Sequence, residues 1–162
     1  MRKNLSNKQI EKYSRQIVLK NVGTIGQKKI LKSNVLVVGA GGLGCPVIDY
    51  LSRAGVGRLG IIDYDKIDPS NIHRQSIYTY KDVGKYKVDV LKKKIMDINP
   101  DVKTKIFKNK ITNKNVDKIL RQFDIIIDGS DNFKTKFLLN KFAHKLKKTL
   151  IVGAISKYNG HV

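Results

Sequence analysis

This sequence predicts an α/β fold: a mostly parallel sheet with helices on both faces and a helical extension at the N-terminus. Three observations predict it. From residue 34 onward, short apolar runs alternate with helix-length amphipathic segments, the pattern of repeated βαβ units. The runs Val35-Leu-Val-Val38 and Ile125-Ile-Ile127 are continuous rather than alternating, as strands buried on both faces require. The turn Gly39-Ala-Gly-Gly-Leu-Gly44 follows the first run as a GxGxxG loop, which in such sheets joins a strand to the helix that receives a phosphate.

The elements follow in order. Ser6 and Gln9 read as a capping box opening a helix to about Lys20, with Ile10, Tyr13, Ile17 and, less regularly, Val18 on one face. A short second helix is expected over 26–32. Together these form an N-terminal helical arm, residues 1–33, ahead of a Rossmann-like nucleotide-binding domain, residues 34–162. In that domain strands are expected at 34–39, 58–63, 102–107, 123–128 and 149–154, and helices at 43–54, 84–97, 113–121 and 132–146. A chain of 162 residues has the size of one domain and buries roughly 70% of its unfolded surface, enough for a true core.

Composition narrows the function classes. Lys and Arg total 33 against 13 acids, a formal charge of +20. The lysines are scattered along the whole chain, no aromatic residues interleave the basic runs, and no nucleic-acid motif is present. The charge reads as compositional, with easy non-specific polyanion binding but no dedicated nucleic-acid site. Cys45 is the single cysteine, so neither an intrachain disulfide nor a cysteine-based zinc site can form. The first residues carry no apolar signal core, and no stretch approaches the roughly 20 apolar residues of a membrane span. The expected location is the cytoplasm.

In open α/β sheets the ligand lies beyond the carboxyl ends of the strands, and that rule gathers the candidate residues. Gly39 permits the tight turn, Gly41 and Gly42 leave room for backbone to approach a phosphate, and Gly44 allows close helix packing. Asp63, about 20 residues on at the end of the second run, is placed for ribose hydroxyls, with Asp65 beside it. Asn71, Arg74 and Gln75 sit in the irregular stretch on the same rim, and Lys87 begins the next helix. Asp131 and Asn132 follow the fourth strand. By sequence Asp131 reads either as a helix cap or as the carboxylate that a magnesium-bound polyphosphate needs. Cys45, followed by Pro46 and Val47, reads as a small packing residue.

In this order the motifs resemble a known family. GAGGLGCP at 39–46, Asp63-Tyr-Asp65, SNIHRQ at 70–75, VGKYK at 83–87, INP at 98–100 and DGSDN at 128–132 look like the ThiF/MoeB/HesA family of ubiquitin-activating-enzyme-like adenylyltransferases. Tyr13-Ser-Arg15-Gln-Ile and Gly26-Gln27 match its N-terminal motif, so the resemblance spans about 6–162. It implies ATP-dependent adenylation of the C-terminal Gly-Gly of a ubiquitin-fold sulfur carrier, as in thiamine or molybdopterin biosynthesis. It also implies that Gly41 and its neighbours approach the nucleotide, Asp63 holds the ribose, Asn71, Arg74 and Lys87 contact the phosphates, and Asp131 positions Mg²⁺. Arg15 would act in the partner subunit's site of a homodimer.

Members of that family continue past the segment matching 153–162 into a zinc site of paired cysteines and carrier-binding strands. The expectation is therefore a C-terminally short form with the nucleotide half present and no zinc site. Two alternatives stand beside it. One is a catalytically inactive nucleotide-binding or dimerisation module. The other is an NAD-dependent oxidoreductase, which would use the glycine loop and Asp63 but gives Arg74, Lys87 and Asp131 no common task.

Overall fold

A computed structural model describes residues 4–162; Met1 to Lys3, the start of the expected arm, lie outside the described residues. Three short helices come first: α1 (Asn7–Lys12), α2 (Ser14–Ile17) and α3 (Gly23–Ile30). The chain continues through β1 (Asn34–Val38), α4 (Gly44–Ala54), β2 (Arg58–Ile62), α5 (Lys87–Ile98), β3 (Lys103–Phe107), α6 (Val116–Leu120), β4 (Ile125–Asp128), α7 (Phe133–Lys145) and β5 (Thr149–Val152). A small hairpin, β6 (Ala154–Ser156) with β7 (Asn159–His161), closes the described segment.

The five long strands form one sheet in the order β3-β2-β1-β4-β5, and every pairing is parallel. Successive β1 side chains point to opposite faces. Val35 and Val37 join Ile48, Leu59, Ile61, Leu91 and Ile95 under α4 and α5. Leu36 and Val38 join Phe123, Ile126, Leu139 and Ala143 under α6 and α7. Each such aliphatic side chain contributes about 1.5–3 kcal/mol by leaving water. Gly60 on β2 is bare because the Phe123 ring occupies its place; a Cβ there would lie 2.2 Å from that ring.

The fold class and the order of elements match the expectation, and several boundaries differ for identifiable reasons. The capping box at Ser6 and Gln9 is present, but the first helix breaks at Tyr13, whose side chain turns inward and is 1% exposed. Ile10 and Val18 are exposed, so the expected apolar face reduces mainly to Tyr13. The second helix starts at Gly23, not 26. Helix α5 starts at Lys87, not 84: Gly84 has φ +82° and donates to Ile67 O, and Lys66 pairs with Tyr86 as an extended bridge. Strand β5 ends at Val152, and the next residues enter the hairpin instead. Ile125 and Ile127 are only partly buried, so β4 is less enclosed than its continuous apolar run implied.

Parallel pairing places all strand carboxyl ends on one rim. From β1 the chain crosses through α4 to β2 on one side, while β4 lies on the other, so the loops after β1 and β4 flank the point where strand order reverses. The helical arm packs at the opposite rim. Tyr13 lies against Gly55, beyond the end of α4, and its hydroxyl accepts from Asn99 Nδ2 at 3.0 Å. Among the described residues no helix is long and apolar enough to cross a membrane.

Candidate functional site

The glycine loop is shaped by close backbone approach. Gly39 has φ +89°, and a Cβ there would lie 2.9 Å from Gly129 O, so the loop after β1 rests directly on the turn after β4. A Cβ on Gly44 would stand 2.0 Å from Gly39 O, which is why α4 can begin so tightly against the turn. Gly41 and Gly42 differ. Their nearest side-chain neighbours are Gln75 Nε2 at 3.8 Å and the Arg74 stem at 3.9 Å, ordinary contact distances. Packing does not demand glycine at these two positions, and their bareness leaves a cradle at the N-terminus of an 11-residue helix.

One residue of this loop, Ala40, is held through both of its backbone groups. Asp63, 9% exposed, accepts the Ala40 N–H at 2.7 Å on Oδ2 and the Asp65 N–H at 2.7 Å on Oδ1. On the other side, the Ala40 carbonyl accepts from the Tyr78 hydroxyl at 2.9 Å and from Cys45 Sγ at 3.4 Å. Burial pushes the Cys45 thiol up to about 11 and holds the Tyr78 phenol protonated far above its ordinary range, so both remain donors. Cys45 is thus a neutral packing and hydrogen-bonding residue, fully buried.

The cations lie along the same rim. Lys87, 5% exposed at the start of α5, pairs with Asp65 at 3.1 Å. Arg74 is exposed, its stem lies beside Gly42, and its Nη1 donates to Ser70 O at 2.9 Å and lies 3.0 Å from His73 Nε2, leaving the N–H groups of Nε and Nη2 to donate elsewhere. Asn71 accepts the Asp68 N–H at 3.2 Å, closing a capping box on a 3₁₀ turn, Pro69–Asn71. Gln75 is 3% exposed beneath Gly41, and its Oε1 is buried with no hydrogen-bond partner.

After β4, Asn132 rather than Asp131 caps α7, accepting the Thr135 N–H at 2.9 Å. Asp131 is exposed and has no capping duty. Asp128 is wholly buried: Oδ1 accepts from Ser130 N and Oγ at 2.9 and 2.6 Å, and Oδ2 faces Lys136 Nζ at 3.4 Å. Among the described residues no cluster of three His, Cys, Asp or Glu could hold a metal unaided. Asp131 fits the part of a magnesium site that a protein usually supplies, one or two oxygens, with phosphates and water completing the shell.

The structure thus brings Gly39, Gly41, Gly42, Gly44, Asp63, Asp65, Asn71, Arg74, Gln75, Lys87, Asp131 and Asn132 to one rim. Arg15 is not with them. It lies on α2, two residues after Tyr13, at the far end of α4, a helix of 11 residues and about 16 Å. Sequence reasoning missed Tyr78, 38 residues from the carbonyl it supports, for which no local spacing gives a signal. It also missed the pairing of Asp128 with Lys136. A carboxylate ending a buried strand needs a partner, and that need was the available clue.

A model of the ThiF family matches residues 13–162. A "Sulfur carrier protein adenylyltransferase" of Thermus thermophilus is 43% identical over 157 residues, 97% of this chain and 58% of that protein. A "Probable molybdopterin-synthase adenylyltransferase" of Porphyra purpurea is 42% identical, over 93% of this chain and 40% of that protein. The chain therefore spans about half the length of these relatives. Among solved structures, Escherichia coli tRNA N6-threonylcarbamoyladenosine dehydratase in complex with AMP superposes with a TM-score of 0.84 at 25% identity, over 92% of this chain and 61% of that one. E. coli MccB with ATP superposes with a TM-score of 0.79 at 25% identity, over 88% and 44%. With its glycine loop, flanking turn and nearly its whole length matched, this chain belongs to the ThiF family.

Proposed function

We propose that this rim binds ATP with Mg²⁺ and that the chain serves an adenylyltransferase that activates the C-terminal Gly-Gly carboxylate of a ubiquitin-fold sulfur carrier. The observation that carries the reading is the open cradle of Gly41 and Gly42, bounded by Arg74, Lys87 and the exposed Asp131. A dinucleotide would use the cradle but leave two cations and a carboxylate without a task. Support comes also from the relatives' names, two of which are adenylyltransferases, and from a neighbour solved with ATP.

In this reading the α4 N-terminus and loop N–H groups receive phosphate oxygens, while Asp63 retains lone pairs for ribose hydroxyls beyond its two backbone bonds. Gln75 Oε1, now without a donor, turns toward a ligand group or a bridging water. A carrier carboxylate oxygen bonds to the α-phosphorus as the bond to the bridging oxygen breaks, and pyrophosphate leaves with the electron pair. Negative charge thereby shifts from the α-phosphate to the leaving group. Arg74 and Lys87 are the preorganised cations for that shift, and Lys87 exchanges its contact with Asp65 for phosphate oxygen. Magnesium, when bound, would supply positive charge against the phosphates, and Asp131 would be the residue that holds it. No protein nucleophile is needed, which agrees with a buried, neutral Cys45.

Arg15, remote from its own rim, would serve the neighbouring subunit of a homodimer. Asn71 and Asn132 shape the two turns, and the segment 1–33 acts as the arm that carries Arg15. Titration calorimetry with ATP·Mg²⁺ and with NAD tests the reading. ATP·Mg²⁺ is expected to bind more tightly, and a preference for NAD would overturn it.

A further inference from the structure

The turn at 128–132 carries Asp131, which is exposed and makes no cap; its carboxylate accepts only a long 3.5 Å contact from the neighbouring Asn132 Nδ2. The order of the turn comes from behind. Lys136, on the first turns of α7 and 16% exposed, donates to Gly153 O at 2.8 Å and faces Asp128 Oδ2 at 3.4 Å. Asp128 in turn holds Ser130 through its backbone N–H and its hydroxyl. Gly153 N donates to Asp128 O, and Gly129 N donates to Val38 O, so β1, β4, the residue after β5 and α7 meet at this one ion pair. Gly129 also packs on Gly39 and Gly44, which couples the turn to the phosphate cradle.

We propose that Lys136 is a positioning residue: with Asp128 it forms a buried strut that sets the 128–132 turn against the glycine loop and so places Asp131 for a phosphate-bound divalent cation. The inference rests on the nucleotide reading above and adds a residue that touches neither nucleotide nor metal. A charge held at a fully buried carboxylate is costly unless paired, so the pair is retained as a unit and its geometry is stiff. Groups that hold a metal-binding carboxylate in place change metal affinity by about 10- to 100-fold when removed.

Removing Lys136 alone would strand a buried charge, so the informative variant is the double substitution Asp128→Asn with Lys136→Met, compared with Lys136→Arg. Calorimetry measures ATP affinity with EDTA and with Mg²⁺, and thermal unfolding checks the fold. The double variant is expected to unfold cooperatively, to keep its metal-free ATP affinity within about twofold of the parent, and to lose about tenfold or more of the gain that magnesium gives. Lys136→Arg, which can still bridge Asp128 and Gly153 O, is expected to keep that gain. A folded double variant with the full magnesium gain overturns the strut while leaving the nucleotide reading intact. Equal loss of affinity with and without magnesium overturns it too, since the effect would then be general collapse of the loop. A parent that binds no ATP under either condition overturns the nucleotide reading and the strut together.

Discussion

Two glycines of one loop, three residues apart, should respond to the same substitution in opposite ways. At Gly44 an added Cβ would lie 2.0 Å from Gly39 O and 2.9 Å from its carbonyl carbon, both backbone atoms that cannot swing aside. Relief requires α4 to move relative to β1, an overpacking cost of about 1–3 kcal/mol or more. For a chain of this size that lowers Tm by roughly 2–12 °C. At Gly41 the nearest atom is Gln75 Nε2 at 3.8 Å, and the residue has no positive φ, so Ala fits and stability should change by less than about 1 kcal/mol. Its methyl nevertheless fills the space through which a phosphate would approach the loop. Loss of one charge-assisted hydrogen bond is worth about 1.5–3 kcal/mol, a drop of roughly 10- to 150-fold in ATP affinity. Thermal unfolding and calorimetry on Gly41→Ala and Gly44→Ala separate the two effects. If Gly41→Ala binds ATP like the parent, the cradle does not face the ligand; if it unfolds as early as Gly44→Ala, the loop is packed against protein and not open.

Other outcomes follow from the same geometry. Tyr78→Phe leaves the Ala40 carbonyl with only the weak Cys45 thiol, so it should cost about 1–3 kcal/mol and weaken ATP binding; unchanged Tm and affinity would show that the carbonyl needs no such support. The Cys45 thiol, raised from 9.0 to about 11, is essentially all protonated at pH 8, so alkylation should run at least about a hundredfold slower in the native protein than in denaturant. Because its folded value lies above the unfolded one, the stability it contributes is complete below about pH 9 and is lost as pH rises through about 11; Cys45→Ala should flatten that alkaline loss, and identical pH–stability curves for variant and parent would contradict the shift. If the chain is active as a dimer, mixing Arg15→Ala with Arg74→Ala subunits should restore about a quarter of the sites, and no recovery, or a strictly monomeric species in light scattering, would remove Arg15 from the chemistry.

Much of this fold was legible because its signals are local. The continuous apolar runs and the intervening amphipathic segments define the βαβ order, and the parallel sheet follows from it. The Ser6–Gln9 capping box and the tight approach of Gly44 to Gly39 are likewise local in sequence and appear as expected. What could not be read was set by contacts between distant residues. Tyr13 breaks the first helix because it turns inward to pack beside Gly55 and Asn99. Gly84 delays α5 because the chain there pairs with Ile67. In the site, motif spacing found the residues on the rim but not those that hold them. Tyr78 and Lys136 act on the backbone of other elements, and Asn132, not Asp131, turned out to be the cap.

The proposed acyl-adenylate would form reversibly at this site, and exchange of labelled pyrophosphate into ATP measures that step. With a ubiquitin-fold carrier ending in Gly-Gly, exchange is expected to depend on the carrier and on Mg²⁺. In Asp131→Asn it should fall by about 10²-fold or more while metal-free ATP affinity is largely kept. Absence of carrier-dependent exchange despite measurable ATP binding would rule out adenylation and leave a nucleotide-binding module without this chemistry, and equal exchange by Asp131→Asn and the parent would show that the carboxylate has no part in it.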